Sequence, residues 1–269
     1  MSDLITQKLY HLNDDFLKSL KHKWFAEPHP VIGYNDFIPI AHAWFKSTKI
    51  NKLNGWDEFT CVDVIMGCTH FIESLLIRHS RRIQVLPNDY AYYGLLGIHG
   101  TPVGSLEPNV PLIVSLPNWK AADIRSDWTE VLDECSRKNI DIHIDMAWMT
   151  IARDIELDLS HPCIKSFAMS LSKYSMEWNR VGLRWCRQRT MDPITMLNHY
   201  QGDVNSAMTS CGAFIMSQLP RDYAWENYQD KHRKVCHEFN LTPTKMIHVA
   251  RQNDTVVGIA NLLTLDKFN

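Results

Sequence analysis

The sequence predicts an α/β fold: a three-layer α/β/α arrangement on a mostly parallel sheet with one antiparallel strand. Short apolar runs, TCVDVIM, RIQVLP, PLIVSLP, IDIHID, CIKSFAMS and VGLRWCRQ, recur between Thr60 and Gln188. Such runs suit strands covered on both faces, as in parallel sheets. Amphipathic helical segments lie between them, with Pro, Gly and Asn at the joins.

Each element has its own reason. Residues 1–59 are aromatic and irregular (KHKWFAEPHPVIGYNDF) and read as an arm with one or two helices. TCVDVIM is a β-branched strand ending at Gly67, and THFIESLLIRH follows with Ile72, Leu75, Leu76 and His79 at helical spacing. RIQVLP is a strand bounded by Pro87, followed by a Tyr/Gly-rich segment to Gly104 and the strand PLIVSLP. SDWTEVLDECSRKN carries acids in its first turn, Arg137 and Lys138 in its last, and stops at Asn139, a helix whose charges complement its dipole. IDIHID, CIKSFAMS and VGLRWCRQ are further strands, completing a large domain over 60–191. Residues 192–269 read as a reduced α+β segment: helices over DVNSAMTSCGAFIMSQL (stopped by Pro220) and RDYAWENYQDKHRKVCHEF, then a hairpin turning at Asn253-Asp254.

Composition narrows the function classes. The chain has 269 residues, 45% hydrophobic and 22% charged, ordinary globular values. A net charge of −2 supplies no basic field for nucleic acid or an anionic membrane. No apolar run reaches the length of a membrane span, and MSDLITQKLYHLNDD has no signal-peptide pattern. Seven scattered cysteines without a CxxC pair point to reduced thiols and a cytoplasmic location. Thirteen histidines show no HExxH or paired Cys/His spacing, so they read as surface and core residues and no metal site is expected.

In parallel α/β sheets ligands bind at the carboxyl ends of the strands. The polar residues there are Gly67, Cys68 and Thr69 at a helix start; Asn88, Asp89 and Tyr90; Asn118; Asp145 with Trp148 three on; and Ser170, Ser172 and Lys173 with Arg180 beyond. Singly, each has a bland explanation: a turn glycine, a packed tyrosine, a capping aspartate, a solvated loop lysine. Together they suit one ligand. A helix N-terminus with a hydroxyl binds phosphate, and an arginine and serines complete the cup. An aromatic ring offers a stacking face, an aspartate holds a ring nitrogen protonated, and a lysine amine forms a Schiff base. That ligand is pyridoxal phosphate.

From Thr60 to about Arg187 the chain resembles the fold-type I pyridoxal-phosphate-dependent enzymes, the aspartate aminotransferase superfamily. MGCTHFIESLL matches the phosphate-loop helix, PNDYAYY is similar to a P-x-Y-x-x-Y segment, and SLPNWKAADI stands where the family has N-P-x-G. IDMAW looks like D-x-A-Y, and SLSKYSMEWNRVG like S-x-S-K…R-x-G. The resemblance implies that Lys173 is the Schiff-base lysine and proton shuttle, and that Asp145 pairs with the pyridinium nitrogen. Asn118 would bond the phenolic oxygen and Tyr90 stack on the ring. Gly67, Cys68, Thr69, Ser170, Ser172 and Arg180 would hold the phosphate. It further implies an aminotransferase acting on an amino acid, working as a homodimer, with Tyr34 a contact across that interface.

The pattern departs from the family in places. Trp148 stands where a tyrosine usually donates to the phenolic oxygen, and Trp119 follows Asn118 in place of proline. Lys173 to Arg180 is one residue shorter than the commonest spacing, which makes Arg184 the fallback phosphate ligand. The chain resembles a short member lacking most of the carboxy-terminal domain that supplies an arginine for the substrate carboxylate. Arg251 is the expected substitute, then Arg221 and Arg187. Two other readings stay open: a reduced relative with a binding or regulatory role, with or without cofactor, and a pyridoxal-phosphate enzyme of another type, a lyase, decarboxylase or racemase.

Overall fold

The structure is a computed structural model that describes residues 12, 14–174, 178–202 and 204–265. The first eleven residues of the expected arm, and 175–177 between Lys173 and Arg180, lie outside the described residues.

Helix α1 (Asp15–Ala26) begins where the Asp14 carboxylate accepts a bond from the Leu17 N–H at 3.0 Å. Helix α2 (Tyr34–Lys46) buries Phe37, Ala41, Trp44 and Phe45. Then come β1 (Lys52–Asn54), β2 (Cys61–Ile65), α3 (Cys68–Arg78), β3 (Gln84–Val85) and α4 (Tyr92–Leu95). The core continues through β4 (Leu112–Ser115), α5 (Trp128–Arg137), β5 (Ile142–Asp145), β6 (Glu156–Asp158), β7 (Ile164–Ser170) and β8 (Gly182–Cys186). The remainder comprises α6 (Pro193–Thr195), α7 (Ser206–Gln218), α8 (Tyr223–Glu238), β9 (Thr242–Pro243), β10 (Val249–Gln252), β11 (Thr255–Gly258) and α9 (Ala260–Leu263).

Six strands form the central sheet in the order β2-β8-β7-β5-β4-β3. Only β8 runs antiparallel to its neighbours, so the expected mixed α/β sheet is present. The period-2 alternation of strands divides the sheet's two faces chemically. On one face Phe167 and Trp185 stack at 5.0 Å, with Trp56 and Phe45 of α2 packed edge-on against Trp185. On the other, toward α3, stand His143, Asp145, Ser166, Ser170 and Arg184; the His143 ring meets Phe71 of α3. One face is thus a hydrophobic seal and the other carries the sheet's buried polar groups.

Several features had no sequence signal. A two-stranded parallel sheet pairs β1 with β6, and β9 joins the expected β10–β11 hairpin to make three strands. A π-helical turn over Met196–Gln201 places Asn198 against the edge of β2, where its amide accepts from Val64 N–H (2.8 Å) and donates to Val64 C=O (3.1 Å). The side chain there satisfies an otherwise open strand edge.

Candidate active site

The chain enters α3 through Gly67, whose φ of +87° is a region that L side chains rarely adopt. A Cβ at Gly67 would also lie 3.1 Å from the Arg180 Cβ, so the missing side chain lets Arg180 approach the helix start. A second close approach is at Gly182, opposite Ser170 in the β7–β8 register, where a Cβ would fall 2.1 Å from the Met169 carbonyl oxygen. These glycines bring the ends of β2, β7 and β8 together around one cleft.

That cleft is lined by Gly67, Cys68, Thr69, Tyr90, Asp145, Trp148, Ser172, Lys173 and Arg180, nine of the residues expected from sequence, with Ser115 and Ala147 in addition. Asp145 ends β5 and is 4% exposed, accepting a bond from the Ala147 N–H at 2.9 Å. Burial lifts its carboxyl to about 6; the Ala147 N–H and the Cys68 thiol pull against that rise, and the Asp89 carboxylate adds to it. Lys173 closes the short helical turn after β7. Its Nζ sits 4.3 Å from the centre of the Trp148 ring, and burial lowers its pKa against the opposing pull of Asp145. A lysine held this way keeps a larger share of its amine neutral and nucleophilic.

Cys68, the first residue of α3, donates its thiol to the Ala168 carbonyl (3.5 Å) and to Ser170 Oγ (3.7 Å). Burial pushes that thiol's pKa well up, so it stays protonated and neutral. Ser170 is wholly buried and does not line the cleft; its hydroxyl bonds Ser172 Oγ at 2.9 Å and orients it. Tyr90 is half-buried, and its backbone N–H donates to Asp89 at 2.7 Å.

Sequence reasoning missed Ser115 as part of this site, and named Asp89 at a strand end without giving it a role. The Asp89 carboxylate is buried, takes a second bond from the Ser115 N–H at 3.0 Å, and so ties the Tyr90 loop to β4. Ser115 pairs with Asp145 in the β4–β5 register. A lone hydroxyl inside PLIVSLP was the available signal.

Other residues singled out from the sequence lie outside this cleft. Asn118 lines a separate, more open cleft with Asn88, Lys120, Arg125 and Arg251, not the one holding Lys173. Its amide closes its own loop, accepting from Lys120 N–H (2.9 Å) and Ala121 N–H (3.0 Å) and donating to Asn88 C=O (3.3 Å). The reshaped Trp119 loop thus takes both oxygen acceptor positions and one of the two amide N–H donors of the side chain. Arg184 is no phosphate ligand: it is 2% exposed and bound to Asp63, Asp192 and Thr195. Arg221 is buried against the Thr150 and Met149 carbonyls, both at 2.7 Å, and Arg187 binds Glu58 and the Ile164 carbonyl. Of the three arginines weighed for a substrate carboxylate, Arg251 alone faces an open cleft near the site. Tyr34 bonds His199 Nδ1 at 3.1 Å within the chain.

All seven cysteines are free thiols. Among the described residues no cluster of His, Cys, Asp or Glu is arranged to hold a metal, and no helix is long and apolar enough to cross a membrane.

No family model and no curated protein matches this sequence. The fold, in contrast, has clear relatives among solved structures. An aromatic aminotransferase from Pyrococcus horikoshii superposes with a TM-score of 0.61 at 13% identity, covering 93% of this chain and 80% of the other. A pyridoxal-phosphate-bound C-S lyase from Staphylococcus hominis gives 0.61 at 9% identity, covering 90% and 74%. Tyrosine aminotransferase from Leishmania infantum gives 0.60 at 12%, covering 89% and 78%. Identities this low establish a shared fold and leave the chemistry to the site itself.

Proposed function

We propose that the chain, whose fold is that of the fold-type I pyridoxal-phosphate enzymes, binds pyridoxal 5'-phosphate in the Lys173 cleft and acts on an amino acid, as an aminotransferase. The single observation behind this reading is the meeting of Lys173, Asp145, Arg180 and the Gly67–Thr69 helix start in one cleft at the strand ends.

The residues suit the group. The missing Cβ of Gly67 lets Arg180 lie against the start of α3, and that guanidinium side chain with the N–H groups opening the helix would cradle phosphate oxygens. Asp145 is a buried carboxylate lifted to about 6, and a protonated ring nitrogen beside it would supply the counter-charge that burial denies it. Tyr90 and Trp148 offer aromatic surface on the cleft wall. When bound, the cofactor supplies an electron sink that stabilises negative charge at the substrate's α-carbon.

The chain's own residues then divide the work. Lys173 would be the amine that holds the cofactor, and its side chain would move the proton to and from the substrate's α-carbon. Trp148, against Lys173 Nζ, bounds the amine's position. Arg180 and Thr69 orient the phosphate, Ser172 does so with Ser170 behind it, and Asp145 holds the ring nitrogen protonated. Arg251, in the adjoining cleft beside Lys120, is the cation proposed to receive a substrate carboxylate. Similar structures include lyases and a cyclase besides aminotransferases, so β-elimination is the second reading. A homodimer in the cytoplasm is part of the proposal.

The test is spectroscopic. Adding pyridoxal phosphate to purified protein should raise an absorbance band above about 400 nm that Lys173→Ala abolishes. Absence of the band at every pH would sink the cofactor assignment. Loss of the band with an amino acid alone, and its return with a keto acid, would separate transfer of the amino group from elimination.

A further inference from the structure

At the opposite end of the same strands lies a cavity of about 280 Å³ that the proposed reaction does not use. It opens between the carboxyl end of α3 and the amino ends of β5 and β7. A helix the length of α3 spans about 16 Å, which sets the scale of its distance from the Lys173 cleft. A water takes up about 30 Å³, so the space holds a small molecule.

Its lining is chemically specific. His143 forms part of the wall and is 3% exposed, beside an irregularity in the β5–β7 register. Its Nδ1 meets Ser166 Oγ at 2.7 Å, while its Nε2 is buried with no hydrogen-bond partner among the described residues. A buried polar atom left unpaired costs free energy until something pairs with it. In the tautomer in which the Ser166 hydroxyl donates to Nδ1, the ring proton sits on Nε2 and Nε2 is a donor; in the other, Nε2 is an acceptor.

Four cations also face the cavity, and their commitments differ. Arg184 from β8 is neutralised by Asp63 and Asp192, and Arg187 by Glu58. Arg78, in the last turn of α3, uses one terminal nitrogen on Thr190 Oγ1 at 2.9 Å and leaves the rest of its guanidinium available. Lys165 donates to the Pro162 carbonyl at 2.9 Å and stands 3.6 Å from Asp141, the one carboxylate in the lining. Burial, then Arg78, His79, Arg184 and Lys165, hold the His143 pKa down at about 3, so the local field is positive and the ring is neutral. The carboxyl end of α3 works against an anion through its dipole, an effect confined to the last turn. Arg78 stands at that same end and offsets it with a full charge.

We propose that this cavity is a second ligand site, for a phosphate-bearing anion, either inorganic phosphate or the phosphate of a small metabolite. His143 Nε2, Arg78 and Lys165 are its donors. Arginine, lysine and imidazole side chains lining one small cavity are the groups that bind phosphate oxygens. The site is independent of the cofactor reading, because no residue is shared with the Lys173 cleft.

The test titrates the full-length protein with inorganic phosphate, and separately with glycerol 3-phosphate, while following the His143 imidazole nitrogens by NMR. Calorimetry measures affinity in parallel. A saturable shift of His143 Nε2 is expected, with binding weakened at least tenfold by Arg78→Gln or Lys165→Gln and unchanged at this site by Arg180→Gln. Tighter binding of glycerol 3-phosphate would identify a metabolite as the natural source, and tighter inorganic phosphate the free ion. A His143 signal that stays fixed at millimolar concentrations of both would overturn the site. So would binding lost in Arg180→Gln and kept in Arg78→Gln, since that places the anion in the other cleft. Both lysine and arginine variants are at partly exposed positions, so a folding failure does not confuse the result.

Discussion

Two cations close together in sequence are treated oppositely, Arg184 buried and Lys173 partly buried. Arg184, in the middle of β8, has its guanidinium bound to Asp63, Asp192 and the Thr195 hydroxyl. Lys173, past the end of β7, has a ring beneath its ammonium and no carboxylate in ion-pair contact among the described residues. The first has its charge answered by two carboxylates, so it is fixed and chemically silent. The second is desolvated without being neutralised, which lowers its pKa and leaves an amine ready to react. A full set of partners suits a structural cation; desolvation without an ion-pair partner is the condition that the role proposed for Lys173 requires.

The largest effect that could break this comparison is on stability. Arg184→Met would leave Asp63 with His199 alone and Asp192 with the Thr195 N–H alone, both without their buried cation, and breaking such a cluster costs about 3–5 kcal/mol. Lys173→Met should leave the cofactor-free protein as stable as before, or more so, because it removes a charge with no ion-pair partner. Urea unfolding of both variants without pyridoxal phosphate measures the difference. Equal losses would show that Lys173 is structural, and the contrast would fall.

The sequence carried the strand-end residues well and their partners poorly. Lys173, Asp145 and Gly67 were legible because a strand's end is set locally, by where an apolar run stops, and the fold rule then gathers those ends together. Arg184 was misread because its role depends on register: Asp63 lies on the neighbouring β2, 121 residues away, and nothing local announces it. Asn118 was misread for a different reason. Its amide is captured by backbone N–H groups two and three residues on, a local competition that the family pattern obscured. Ser115 and His143 did have a signal, since each is a polar side chain inside an otherwise apolar strand. Such a residue is either partnered across the sheet or aimed into a cavity, and here the pair shows one of each use.

A smaller effect sharpens the comparison on the anionic side. The Asp145 carboxyl titrates at about 6 in the fold, against 3.8 for an ordinary aspartate. A raised native pKa means that the folded state holds the proton more tightly than the unfolded chain. The stabilisation is therefore complete below about pH 4 and is lost as pH rises through 6, on the order of 2–3 kcal/mol in all. Other groups set their own slopes, so the observable is the difference between wild type and Asp145→Asn in the cofactor-free protein. The asparagine variant should lack this fall between pH 4 and 7. With pyridoxal phosphate bound, a protonated ring nitrogen would hold the carboxylate ionised, and the wild-type fall should flatten as well. A fall that persists unchanged with cofactor would show that Asp145 does not meet the ring.

The smallest predicted effect concerns the space that keeps Arg180 in place. Gly67→Ala must carry a side chain at φ +87°, a strain of about 1–3 kcal/mol, and its Cβ would press on the Arg180 side chain at 3.1 Å. The strain falls on one residue at the start of α3, while the buried face of the helix, Phe71, Ile72 and Leu75, is untouched. The variant should therefore fold, with a midpoint in urea only modestly lowered. Its affinity for pyridoxal phosphate should drop several-fold more than its stability loss accounts for, because the displaced Arg180 no longer faces the phosphate cradle. Gly33→Ala is the control: Gly33 has open space around its Cβ position and no positive φ. If Gly67→Ala binds the cofactor as tightly as that control does, the missing Cβ is a requirement of the turn alone, and Arg180 reaches the phosphate, if at all, without help from Gly67.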